Sequence, residues 1–199
     1  MKKAIAHLKA ADQVMARIIA QVGPPRMHYQ EPTFETVVRS IVFQQLSGKV
    51  ARVIFGRLAA AASPLTEHGI KQLSTPKMRS LGLSRQKIDY IRDLAQKTRA
   101  GHIDFSTLPT LSDEDVIASL TQVKGIGIWT AQMFLLFALR RIDILPTGDL
   151  GIRTAIKKAY NLEELPSAEQ IRTIASPWHP YCSAASWYLW RSLDGIAGL

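Results

Sequence analysis

A single cysteine, Cys182, among 199 residues excludes a disulfide within the chain, a Cys-rich zinc site and a four-cysteine iron–sulfur cluster. Long apolar runs are missing too; none approaches the roughly 20 residues that a membrane-spanning helix needs. Met1-Lys2-Lys3 has the charge of a signal-peptide start, but Lys9, Asp12 and Arg17 interrupt any apolar stretch behind it. Acids are in short supply: 16 Asp and Glu stand against 25 Lys and Arg, a formal net charge of +9 with a pI near 9.9. That surplus favours a polyanionic partner, although general solubility alone can also use it. No run alternates with period two, so strands are not expected. With 47% hydrophobic residues and a mean hydropathy of +0.01, the chain is expected to be globular, soluble and intracellular, as one domain or two small lobes.

What is present is helical periodicity nearly throughout. One helix is expected from Lys2 to about Gln21, ended by Gly23-Pro24-Pro25. After Pro32, the residues Phe34, Val37, Val38, Ile41 and Val42 recur at the spacing of a buried helix face. Ser47-Gly48 breaks or bends that helix, and Val50, Val53, Ile54 and Leu58 continue in another. Thr75-Pro76 opens a short helical turn that Gly82 ends, and Ser84 caps a helix that Gly101 closes. Ser112-Asp113-Glu114-Asp115 places acids at the positive end of a helix dipole. Helices from Ile128 to about Arg140, from Asp149, from Ser167 (a capping box with Gln170) and from about Ser183 to Leu193 complete an all-α reading. No linker, low-complexity tract or repeat is visible, and the N- and C-terminal segments can pack into one lobe.

Two local patterns carry chemistry. Val123-Lys124-Gly125-Ile126-Gly127-Ile128-Trp129-Thr130-Ala131 joins an apolar helix to a Gly-x-Gly turn and a second helix. Glycines let the backbone approach a phosphate, and the amides of a helix start face it with the positive end of the dipole. Gly125, Gly127, Ile128 and Thr130 are therefore candidate phosphate contacts, with Ile126 filling the turn from inside. About twenty residues later, Pro146-Thr147-Gly148-Asp149 sets one carboxylate at a helix start. The ordinary alternatives are a tight turn and an N-cap. None of the five histidines has metal-ligand spacing.

The pattern Leu120-x-x-Val123-Lys124-Gly125-Ile126-Gly127-x-Trp129-Thr130-Ala131, followed by Asp143-x-x-Pro146-x-x-Asp149, resembles the helix-hairpin-helix DNA glycosylases, and within them the 3-methyladenine DNA glycosylase II group. Phe43-Gln44-Gln45-Leu46-Ser47 and Pro177-Trp178 extend the resemblance over roughly residues 30 to 195. It implies two α-helical lobes flanking a DNA-facing cleft. The additional N-terminal α/β domain of larger bacterial members has no counterpart here, so a compact form is expected.

On this resemblance Asp149 is the catalytic carboxylate. Cleavage of an N-glycosidic bond builds positive charge on the deoxyribose, and one nearby carboxylate can stabilise it and orient or deprotonate the attacking water. A cationic alkylated purine leaves readily, so the carboxylate pair of ordinary glycosidases is not needed. Asp143 is the nearest rival and reads as structural. Trp129 stands where Schiff-base-forming relatives carry a nucleophilic lysine, which implies a monofunctional enzyme. Its π face, with Trp178 as a second wall and Met133 one turn on, is the implied base pocket. Met133 departs from the tyrosine frequent at its position, and core packing is the alternative for each of the three. Gln45 is the implied wedge that fills the space of a flipped nucleotide, with Leu46 or Ser47 as alternatives. Main-chain carbonyls of Thr121, Val123 and Ile126 are implied ligands of a monovalent cation, a structural Na⁺ or K⁺; no other cofactor is expected. Lys and Arg at 49, 52, 57, 85, 87, 153, 157 and 158 form a candidate phosphate-facing rim, or in part plain solvated helix faces.

The expected function is thus hydrolytic release of alkylated purines from double-stranded DNA by a monomer, with no membrane association, in the nucleoid or nucleus. A non-catalytic helix-hairpin-helix DNA-binding module is the alternative, and a basic helical scaffold a third. Asp149 and the aromatic residues separate them, because an anchor needs neither.

Overall fold

The computed structural model describes residues 1–194, and among them every regular element is helical. Twelve α-helices follow in order: α1 (Lys2–Ala11), α2 (Gln13–Val22), α3 (Phe34–Phe43), α4 (Gly48–Ala61), α5 (Glu67–Gln72), α6 (Thr75–Ser80), α7 (Arg85–Arg99), α8 (Asp113–Thr121), α9 (Ile128–Phe137), α10 (Leu150–Ala159), α11 (Ala168–Ala175) and α12 (Cys182–Asp194). None of the described helices is long and apolar enough to cross a membrane.

The chain divides into two compact units. Of the described residues, the first joins Met1–Tyr29 to residues 140–194. In it α12 packs on α2 and α10, while α1 packs on α2. Its core includes Leu8, Met15, Ile156, Ile171, Trp178, Tyr188 and Leu189, each at most 1% exposed. The second unit, Gln30–Leu139, packs α3 on α4 and α7, α5 on α7, and α8 on α9. Val38, Ile41, Leu58, Met78, Ile88, Ile91 and Leu135 form its buried interior.

Most helix starts are capped by the residue types that favour them. Thr33, Thr66, Ser74, Ser84, Ser112 and Ser167 each accept a backbone amide in the first turn, and Ser167 with Gln170 forms a full capping box. Gly101 closes α7 at φ 75°, a left-handed conformation that glycine adopts without strain.

Helix boundaries differ from those expected in three places. The expected helix over residues 2–21 is two helices, because Asp12 is extended (φ −149°, ψ 116°) and its Oδ1 accepts the amides of Val14 and Met15. An internal cap thus outcompetes helix continuation. The helix from Ile128 stops at Phe137 rather than Arg140, since Arg140 lies at φ 57°, outside the right-handed helical region. Residues 67–72 form α5, opened by Thr66, where no helix was expected.

Candidate nucleic-acid interface and active site

The hairpin is built from α8, a turn and α9. Gly125 lies at φ 78°, and a β-carbon there would come within 2.1 Å of the Tyr90 ring. Glycine is thus demanded at 125 twice, by backbone conformation and by the Tyr90 ring from α7. Gly127 differs: its φ is −98°, and a β-carbon would meet nothing within 4 Å. Gly127 caps α9 without a side-chain hydrogen bond. The first turn it opens presents Ile128 and Trp129, 62% and 49% exposed, with Thr130 half-buried behind them. Ile126 is buried under the turn, where the sequence reading placed it.

Side chains from elsewhere in the second unit fasten this turn. Asp93 Oδ2 accepts the Lys124 amide (2.8 Å) and the Lys97 ammonium (2.7 Å). Burial raises the Asp93 pKa, but the bonds from Lys97 and Lys124 outweigh it and leave the carboxyl below its ordinary value. Gln44 reaches across from the α3–α4 turn, its Nε2 donating to the Gly125 carbonyl at 2.9 Å. The neighbouring Gln45 is exposed at φ 57°, and Leu46 is 37% exposed. Gln45 and Leu46 therefore sit on a tight turn whose preceding residue is tied to the hairpin.

A cavity of about 750 Å³ opens in the second unit. Trp129 and Met133 line it together with Phe43, Tyr90, Phe134 and Phe137, and Gln45 reaches its wall. Arg39 also lines it, its guanidinium 4.2 Å from the centre of the Phe43 ring.

Trp178 is not part of this cavity, which corrects the expectation of a second aromatic wall. It is wholly buried in the first unit, and its Nε1 donates to Asp12 Oδ2 at 2.8 Å. With no exposed face it offers nothing for a base to stack on. Tyr160 donates its hydroxyl to the same Asp12 oxygen. Burial raises the Asp12 pKa, yet the Tyr160, Trp178 and amide hydrogen bonds outweigh it and hold the carboxyl below its ordinary range. The Tyr160 hydroxyl is pushed up, by burial first and by Asp12 second.

Asp149 caps α10 in the first unit and is half-buried. Its Oδ1 accepts the Ile152 amide and the Trp190 Nε1, each at 2.8 Å. Gly151 makes room for this arrangement: a β-carbon there would lie 3.0 Å from both Asp149 Oδ1 and Trp190 Cδ1. Asp143 caps the start of α12, its Oδ1 accepting the Cys182 amide at 3.2 Å and its Oδ2 meeting His179 Nδ1 at 2.8 Å.

The basic rim divides. Lys49, Arg52, Arg57, Arg85 and Lys158 are exposed. Lys87 is instead turned inward: its ammonium donates to the carbonyls of Val42 and Gln44 at the end of α3, and burial lowers its pKa. Arg153 donates to the Pro166 carbonyl at 3.0 Å. These two brace the backbone. Tyr90, Gln44, Trp190, Gly151 and Asp12 went unrecognised in the sequence, since each acts through a partner remote in the chain or through space it leaves empty.

Residues 38–180 match the model of the HhH-GPD superfamily of base excision DNA repair proteins. The chain belongs to that superfamily. Among HhH-GPD relatives, it is 34% identical over 200 residues to DNA-3-methyladenine glycosylase 1 of Schizosaccharomyces pombe, covering 96% of this chain and 87% of that protein. A putative DNA-3-methyladenine glycosylase of Bacillus subtilis is 31% identical over 81% of this chain and 59% of its own length. The HhH-GPD fold agrees with the S. pombe 3-methyladenine DNA glycosylase solved in complex with abasic DNA, at a TM-score of 0.84, 34% identity and coverage of 96% and 97% of the two chains. A DNA-3-methyladenine glycosidase from Bacillus halodurans superposes at a TM-score of 0.86 with 33% identity, covering 98% of this chain and 90% of that one.

Proposed function

We propose that this protein is a monofunctional DNA glycosylase that flips alkylated purines of the 3-methyladenine type out of double-stranded DNA and hydrolyses their N-glycosidic bonds. The observation that carries the reading is the Asp149 carboxylate, held at the start of α10 by the Ile152 amide and the Trp190 indole.

The amides that open α9, from Gly127 to Thr130, bind a backbone phosphate; the open space at Gly127 suits that approach. Gln45 enters the duplex from its turn and takes the space of the displaced nucleotide, with Leu46 alongside. A cationic base stacks on Trp129 in the aromatic cavity, where a π face attracts positive charge. Met133 contributes a polarisable apolar contact. As the base departs, the Asp149 carboxylate stabilises positive charge developing on the sugar and orients or deprotonates the water that attacks its anomeric carbon. The cationic alkylated base takes the electron pair of the glycosidic bond and leaves as a neutral molecule, so its positive charge passes to the sugar and no strong general acid is required. With Trp129 at the hairpin position of the Schiff-base lysine, no covalent sugar–enzyme intermediate forms.

Carbonyls of Thr121, Val123 and Ile126 are neutral oxygens of the type that holds Na⁺ or K⁺. The Val123 oxygen already accepts the Ile126 amide at 3.0 Å, so it would offer the ion its second lone pair. Such an ion would add positive charge beside the α9 amides.

The test is chromatographic analysis of bases released from methylated duplex DNA, paired with borohydride trapping. Free 3-methyladenine, an intact strand before alkali and no trapped adduct are expected. Binding without base release would mark a non-catalytic anchor, and a trapped adduct would overturn the monofunctional mechanism.

A further inference from the structure

The segment leading from Arg140 to Asp149 meets the start of α12 at three side chains that the proposed chemistry leaves unused. Asp143, His179 and Cys182 are the one group of three or more His, Cys, Asp or Glu among the described residues whose donor atoms converge, all within 4.8 Å of one another. His179 Nδ1 lies 2.8 Å from Asp143 Oδ2 and 3.6 Å from Cys182 Sγ. The thiol is buried, whereas the His179 and Asp143 side chains are 51% and 35% exposed, so an ion from solvent has an approach.

We propose that Asp143, His179 and Cys182 form a site for a divalent transition-metal ion of the zinc type, with water as its fourth ligand. A tetrahedral ion with Zn–S near 2.3 Å and Zn–N near 2.0–2.1 Å separates sulfur from nitrogen by about 3.6 Å. The Sγ–Nδ1 distance here is 3.6 Å. The nitrogen–oxygen separation in such a tetrahedron is about 3.3 Å, wider than the 2.8 Å hydrogen bond between His179 and Asp143. An ion that replaces the shared proton spreads this pair by about half an ångström, a shift that the half-exposed imidazole can make by turning.

Charge and chemistry agree with the geometry. A thiolate, a carboxylate and a neutral imidazole supply two negative charges, which a divalent ion cancels. Binding releases the thiol proton and shifts the imidazole proton to Nε2. The ion would fasten the 140–149 segment to α12 where Ser183 already ties it, accepting the Ile144 amide and donating to the Arg141 carbonyl. Farther along the same helix Trp190 holds Asp149. The site is thus a structural clamp on the segment that presents the carboxylate.

Cobalt(II) is the probe, added to the whole chain without an affinity tag. Cys182 is the only cysteine, so a thiolate-to-cobalt charge-transfer band has one source. The expected result is such a band saturating at about one ion per chain, with tetrahedral d–d absorption, displacement by Zn²⁺ and a raised melting temperature. Cys182→Ser should abolish the band, and His179→Ala should weaken cobalt binding by roughly tenfold or more. His179 is exposed, so its variant keeps the test decisive even where Cys182→Ser fails to fold. Absence of a thiolate band at saturating cobalt would overturn the site, as would binding unchanged in both His179→Ala and Asp143→Asn.

Discussion

At the scale of residues, the geometry of Asp149 depends on what Gly151 leaves empty. A β-carbon at 151 would press on the carboxylate and on Trp190 at once, both at 3.0 Å. Gly151→Ala should therefore lower base excision while helix propensity at the site improves. Trp190→Phe keeps an aromatic ring but removes the indole donor, a loss of about 1 kcal/mol of orientation, or roughly fivefold in rate. Single-turnover excision by both variants, with their melting temperatures, checks the pair; full activity in Gly151→Ala would show that Asp149 does not need its present position. Asp12 illustrates a different residue-scale role. Its folded pKa lies below its ordinary value, so it stabilises the fold above about pH 4, and that stabilisation is lost as pH falls through the folded value. Asp12→Asn should flatten acid unfolding in this window, which urea titrations at stepped pH would reveal. Asp12→Ala, which strands Tyr160 and Trp178 without their acceptor, should cost on the order of 3 kcal/mol.

At the scale of elements, the hairpin turn separates folding from binding within three residues. Gly125→Ala must move the Tyr90 ring and holds alanine at φ 78°, a strain of about 1–3 kcal/mol. Gly127→Ala meets no protein atom within 4 Å, so stability should fall only by the cost of alanine at an N-cap, at most about 1 kcal/mol, while affinity for lesion and plain DNA falls together. Thermal melts beside DNA titrations distinguish the two, and unchanged affinity in Gly127→Ala would argue against a phosphate at this turn. The hairpin was legible in the sequence because Gly-Ile-Gly, its flanking apolar helices and Trp129 are contiguous. Asp149 was legible as a helix cap for the same reason. Resemblance alone puts Trp178 in the pocket, with core packing as the alternative; what decides for the core is Asp12, 166 residues away. Lys87 likewise reads as one more surface cation until the carbonyls of Val42 and Gln44 are brought to it. Periodicity also hid the break at Asp12, since apolar spacing runs through a cap without registering it.

At the scale of the whole molecule, an all-helical chain carrying +9 charge is given over to holding a few groups in place. Its first unit fixes Asp149, and its second fixes the hairpin, the Gln45 turn and the aromatic cavity. Central to the proposed mechanism is that the charge of Asp149, and not its capping bonds alone, serves the excision step. Asp149→Asn preserves size and capping ability, so it isolates that charge. The decisive measurement is the single-turnover rate of 3-methyladenine release by this variant, with DNA affinity and melting temperature measured on the same preparation. Loss of the preorganised carboxylate predicts a fall on the order of 10²–10³ in rate, with affinity and stability nearly unchanged. Full excision activity in Asp149→Asn would contradict the assignment of the catalytic group.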